Sequence, residues 1–180
     1  MFRLYSKILS TPRTVIDEKN LMCDANVRAV GKRIEEKIKK LFRGSLAIRE
    51  VDAGSTNACE QELVALSNPF YDIERFGIHF VASPRHADML MVTGPVSRNM
   101  KEALVKTYEA VPDPKIVVAV GDDAIDGGIF RGSYAVLDGV RNVIPVDYEI
   151  PGDPPSPRAV LCGLLEILEK IEMRSSGTKE

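Results

Sequence analysis

The chain has 180 residues and 44% hydrophobic side chains, enough for one domain with a real core and too few for two. Its 24 basic residues against 26 acidic ones leave a net charge of −2, which removes the electrostatic case for nucleic acid as a partner. No apolar run reaches the roughly 18 residues of a membrane span and the opening MFRLYSKILSTPRTV has no signal-peptidase site, so a soluble, cytoplasmic chain is expected.

Residues 1–20 show no sustained period and are expected to be an arm that orders against a partner. From Asp24 to Phe42 the apolar Val27, Val30, Ile34, Ile38 and Leu41 recur at helical spacing, with Lys32, Arg33, Lys37, Lys39 and Lys40 on the remainder. That pattern predicts an amphipathic helix capped by Asp24 or Asn26, stopped at Gly44, its basic face turned to water. SLAIREVDAG (45–54) reads as a strand, CEQELVALS as a helix, and ADMLMVTGP (87–95) as a buried strand. SRNMKEALVKTYEAV then reads as a helix with Ser97 as its cap. KIVVAVGDD (115–123) is the clearest strand and NVIPVDYEIPG (142–152) the last. Ser156 and Pro157 open a final helix with the stripe Val160, Leu161, Leu164, Ile167, Leu168 and Ile171. Residues 21–174 form the domain in this reading, and 175–180 a disordered tail.

Strands separated by helices imply right-handed crossovers and a mainly parallel sheet with helices on both faces, a doubly wound, flavodoxin-like α/β fold. In such sheets ligands collect at the carboxyl ends of the strands. Four loops lie there: 54–59, 93–95, 121–128 and 151–155. No G-x-G-x-x-G or Walker-type phosphate loop is present, which weighs against a freestanding flavin- or nucleotide-binding domain without removing it. The cysteines, Cys23, Cys59 and Cys162, are an odd number at wide spacing, so neither a disulfide framework nor a zinc knuckle is expected.

DAGSTNACEQEL, NPFYDIERFGIHFVASPRHADMLMVTGPVSRNM, VAVGDDAIDGGIF and VIPVDYEIPGDPPSP resemble, in order, the small, proximal-cluster subunit of membrane-bound [NiFe] hydrogenases, formate hydrogenlyase included. The chain is similar as well to the quinone-proximal iron–sulfur subunit of complex I. The spaced T-x2-C of the first loop favours the hydrogenase branch over complex I, whose proteins carry adjacent cysteines there.

The resemblance places four cluster cysteines on Thr56, Cys59, Asp123 and Asp153, of which this chain keeps only Cys59. Cubane clusters take soft thiolates, so the exchange turns a sulfur-rich site into an oxygen-rich one. Three readings stay open: no cofactor, with the domain kept as a scaffold; an atypical [4Fe–4S] cluster on Cys59 with carboxylate or external ligands; or an oxygen-ligated hard cation between Asp123 and Asp153, with a hydroxyl beside the two carboxylates, so that Cys59, Asp123 and Asp153 are the candidate metal positions.

By resemblance the chain is a non-catalytic subunit of an oxidoreductase complex. Its implied partners are a large hydrogenase-like subunit, membrane ion-translocating subunits and a ferredoxin-like cluster subunit, at the cytoplasmic face of the membrane. Arg85 and His86, with Ser83 and Asp88 nearby, are implied to face the large subunit. His79 reads as a packed strand residue. Glu60 and Glu62 are either proton-relay groups at the subunit boundary or acids favoured by a helix dipole. Asp72, Glu74 and Arg75 form a surface charge cluster or docking face, and Cys23 and Cys162 read as buried or half-buried thiols.

Overall fold

The computed structural model describes residues 22–177, with side chains from 26 to 175. The expected partner-binding arm and the side chain of Cys23 lie outside that range. The first helix, α1 (Met22–Leu41), buries Val27, Ile34 and Ile38 as its period predicted. It starts before Asp24 and Asn26, which therefore lie within the helix rather than cap it. Gly31 sits where the ring of Phe76 packs on the helix, leaving no room for a side chain. The chain then passes through β1 (Leu46–Asp52), α2 (Ala58–Ala65), β2 (Ile78–Phe80), β3 (Met89–Thr93) and α3 (Lys101–Ala110). It ends with β4 (Ile116–Val120), α4 (Asp122–Asp126), β5 (Tyr148–Ile150) and α5 (Pro157–Gly177).

The five strands are all parallel, in the order β2-β1-β3-β4-β5. Register runs Leu46 to Ile78, Ile48 to Met89, Met89 to Ile116 and Val118 to Tyr148. The fold is the doubly wound α/β one expected, with one strand more than the four the sequence pattern indicated. That extra strand, β2, is three residues long at one margin of the sheet. The crossover from β4 to β5 departs from the expected helix: it holds the five-residue α4 and two 3₁₀ turns. The last strand is only Tyr148–Ile150, because Pro145 and the turn at Val140–Asn142 break the longer apolar run.

One core lies between the sheet and α1, α2 and α5, with Ile38, Leu46, Leu63, Met91 and Leu164 among its residues. The other lies beneath α3, with Leu90, Val92, Leu104 and Val117. β3, whose five residues are all buried, serves both. The basic face of α1 is not simply solvated: Arg33 pairs with Glu169 at 2.5 Å, and Lys37 and Lys40 both reach Glu172 on α5. These pairs align α1 and α5 side by side in the same direction. Ser156 Oγ accepts from the Ala159 amide at 3.3 Å, so the predicted start of the last helix holds. Ser97 caps less directly, its Oγ accepting from Met100, the residue before α3. α5 continues to Gly177, into the segment expected to be a tail.

Candidate functional site

The four loops converge at the carboxyl ends of the strands, and their backbones are tied to each other. In the first, Asp52 Oδ1 accepts from the amides of Gly54 and Ser55 at 2.7 and 2.8 Å, folding the turn that carries Thr56. Asn57 follows in the left-handed region at φ 68°, which turns the chain into α2. The second loop packs on the first: the Ala53 amide donates to Thr93 O and the Ser97 amide to Ala53 O, at 2.9 and 2.7 Å. Gly94 is needed there, since a Cβ would meet Ser55 N at 2.5 Å, and its φ is +79°. The third and fourth loops are joined reciprocally: the Asp122 amide donates to Gly152 O at 2.9 Å, and the Gly152 amide to Asp122 Oδ1 at 2.8 Å. The Asp153–Pro154 peptide beyond is cis.

Cys59 opens α2 and is 7% exposed, its sulfur resting on the bare backbone of Gly121. The crevice thus brings together the first, third and fourth loops around that thiol. Asp123 is 6% exposed, with Oδ1 lacking a hydrogen-bond partner, while Thr56 and Asp153 are exposed at the rim. Burial and the charges of Glu60, Asp123, Asp153 and Asp122 push the Cys59 thiol up to about 11, so it is protonated at neutral pH. Burial, then the charge of Asp153, raise Asp123 above the ordinary aspartate range, partly offset by the Ile129 amide.

A cubane cluster takes four soft thiolates. The residues here are one thiol, one hydroxyl and two carboxylates, and among the described residues no three His, Cys, Asp or Glu side chains converge to hold a metal ion. The donor set does not fit the cluster.

Glu60 lies one residue past Cys59 and is 8% exposed, with neither carboxylate oxygen partnered. It sits in the first turn of α2, yet it faces inward with Leu63 rather than lying on a surface. Across from it Glu50 of β1 is half-buried, and burial and the Glu60 charge raise its pKa. Sequence reading missed Glu50, although the two-residue strand period puts it on the face of Leu46 and Ile48. Arg85 and His86 are exposed on the 3₁₀ turn before β3, at the opposite end of the sheet from the crevice. The structure does not bring them to Cys59, Asp123 and Asp153. Cys162, read as buried or half-buried, is exposed on α5.

The family model for NADH ubiquinone oxidoreductase, 20 Kd subunit, matches residues 57–167. The chain belongs to that family. Among relatives in the 20 Kd subunit family, it is 44% identical over 149 residues to the probable membrane-bound hydrogenase subunit mbhJ of Pyrococcus furiosus, covering 81% of this chain and 89% of the relative. It is 42% identical over 166 residues to formate hydrogenlyase subunit 7 of Escherichia coli, covering 86% of this chain and 65% of the relative. It is 45% identical over 120 residues to an NADH-quinone oxidoreductase subunit of Bacteroides thetaiotaomicron, covering 66% and 61%. A chain in the structure of the membrane-bound sulfane sulfur reductase, an archaeal respiratory membrane complex, superposes with a TM-score of 0.65 at 38% identity, covering 77% of this chain and 74% of that one. Among the described residues of this 20 Kd family member, no helix is long and apolar enough to cross a membrane.

Proposed function

We propose that the chain is a non-catalytic subunit at the 20 Kd position of a membrane-bound, hydrogenase-like or complex I-like assembly, and that it works there without an iron–sulfur cluster. The observation that carries this reading is the donor set of the crevice. Of the positions the resemblance assigns to cluster cysteines, Thr56, Asp123 and Asp153 offer oxygen, and the remaining sulfur of Cys59 is a thiol that burial first, and the surrounding carboxylates second, keep protonated. An iron cube needs anionic sulfur, which that electrostatic setting disfavours.

With no relay at this point, single electrons do not pass through the chain. Its contribution is then mechanical: the loop face docks a large hydrogenase-like subunit, and the domain joins it to membrane ion-translocating and ferredoxin-like subunits at the cytoplasmic face. The named relatives, subunits of membrane-bound hydrogenase, formate hydrogenlyase and NADH-quinone oxidoreductase, support that placement.

Anaerobic reconstitution of the full chain with iron and sulfide tests the cofactor reading. We expect no broad visible absorbance, no paramagnetic signal on reduction and sub-stoichiometric iron. Roughly four irons per chain, the content of one cubane, would establish an atypical cluster instead and overturn the cluster-free reading.

A further inference from the structure

At one margin of the sheet the outer strand stops short of its neighbour. β2 ends at Phe80, level with Ile48, while β1 continues to Asp52. The Val81 amide still donates to Ile48 O at 2.9 Å, and past that rung Glu50 has no backbone hydrogen bond on this side among the described residues. The gap opens a notch of about 210 Å³, lined by Arg49 and Glu50 of β1, Leu63 and Val64 of α2, and Phe80 and Val81.

Arg49 and Glu50 are consecutive on a strand, so their side chains leave it on opposite faces. Neither enters an ion pair among the described residues, with the other or elsewhere. Arg49 Nε is buried and has no hydrogen-bond partner, a costly state for a guanidinium N–H. The notch thus holds an unused donor and a carboxylate acceptor with apolar walls between them, and Val64 stands 65% exposed beside it.

The charges around the notch narrow the occupant. Glu60 and Asp52 add negative charge about Glu50, which counts against an anion as the missing partner of Arg49. A simple cation would satisfy Glu50 and leave Arg49 unserved. A peptide group is neutral and carries an acceptor and a donor together, so it serves both. The volume lies below the roughly 300 Å³ at which small-molecule pockets begin, and it suits one apolar side chain beside such a group. Open backbone at a sheet margin next to a side-chain pocket is the arrangement that takes up an extended segment of another chain. A second copy would meet this recess with the same recess, since twofold pairing sets like surface against like.

We propose that a short extended segment of a neighbouring protein subunit occupies this notch, one of its peptide groups bridging Arg49 and Glu50 and one apolar side chain seated between Val64 and Phe80. The inference rests on the chain's place in a multi-subunit assembly, and it holds whatever the cofactor state of the crevice at Cys59.

The test places a photo-activated benzoylphenylalanine at position 64 of the tagged full chain, purified with its native complex. The same residue at position 173, exposed on α5, is the control. Peptide mapping of the adducts names the occupant. We expect an adduct with another subunit from position 64, and retention of that subunit reduced roughly tenfold at a fixed salt by Val64→Glu and kept by Val64→Ile. Because Val64 is exposed, the thermal midpoint of the isolated Val64→Glu chain should stay level. Arg49→Met, which removes the unpaired donor, should weaken retention while leaving the isolated chain's midpoint level or higher. An adduct with residues 1–21 of the same chain, an adduct with a second copy, or none in an intact complex would each overturn the proposal. So would full retention in Val64→Glu or in Arg49→Met. A chain that purifies with no partner at all would reject the assembly reading itself, a different result from an intact complex that gives no adduct at position 64.

Discussion

The sulfur of Cys59 occupies the space where a side chain on Gly121 would begin: a Cβ built there stands 2.5 Å from it. Gly121 also has φ +90°, a backbone region that side-chain-bearing residues seldom enter. Gly121→Ala is therefore expected to destabilise the chain by about 1–3 kcal/mol through overpacking and strain. In a Cys59→Ala background the overpacking part disappears and the strain remains, so the cost of the same change shrinks. Denaturant unfolding of the four proteins in that cycle measures the difference.

Thiol reactivity should separate the described cysteines. Cys162 is exposed on α5, whereas Cys59 is buried and pushed up to about 11. Alkylation of the native chain at pH 8, followed by peptide mapping, should label Cys162 promptly and Cys59 only after unfolding. Prompt labelling of Cys59 would show an open, ionised thiol.

Returning sulfur to the crevice should return its capacity for iron. The triple change Thr56→Cys, Asp123→Cys and Asp153→Cys, made together, is expected to bind roughly four irons and to acquire the broad absorbance of a cubane on anaerobic reconstitution. A triple variant that folds but stays colourless would show that these are not the positions at which the loops can hold a cluster.

Glu172 joins α5 to α1 through Lys37 and Lys40, whose hydrogen bonds hold its carboxyl down at about 2. A lowered carboxyl contributes stability above the ordinary glutamate value and loses it as pH falls through the folded one. Glu172→Gln should therefore lower the thermal midpoint at pH 7, with the gap from the wild type closing as pH drops from about 4.5 toward 2. A pH-independent gap would mean that packing, rather than the ion pairs, carries the effect.

Glu50 has the opposite sign. Burial and the Glu60 charge raise its pKa above the ordinary 4.5, so the fold favours the protonated form. The stability it contributes is present below the unfolded value and is lost as pH rises through the folded one. Glu50→Gln should raise the thermal midpoint at neutral pH and lose that advantage below about 4.5. A midpoint lowered at neutral pH would show that the ionised carboxylate is needed.

The parts of the fold carried by long periodic segments were legible in the sequence. α1 and α5 follow from their apolar stripes, and β3 and β4 from uninterrupted apolar runs that only a doubly covered strand accommodates. β2 was legible only as the apolar strand pattern around His79, because three residues after Gly77 are too short a run to count among the main strands of the sheet. The meeting of the first, third and fourth loops was anticipated from where strand ends must lie, whereas the choice of Cys59, Asp123 and Asp153 within them came from the resemblance. The burial of Glu60 was not, since composition treats a glutamate at a helix start as a surface group. Its spacing of three from Leu63 was the available signal: that interval places both residues on the inward face of α2. Arg85 and His86, which the resemblance implies face a partner, sit on a turn at the amino end of the sheet, so a contact there would be separate from the loop end.

Both margins of the sheet finish in strands of three residues, β2 and β5. So short a border offers few unpaired backbone groups for another chain to copy, and little length over which mismatched copies could gain register. The polypeptide can accordingly be synthesised ahead of its partners with small exposure to strand-to-strand clumping.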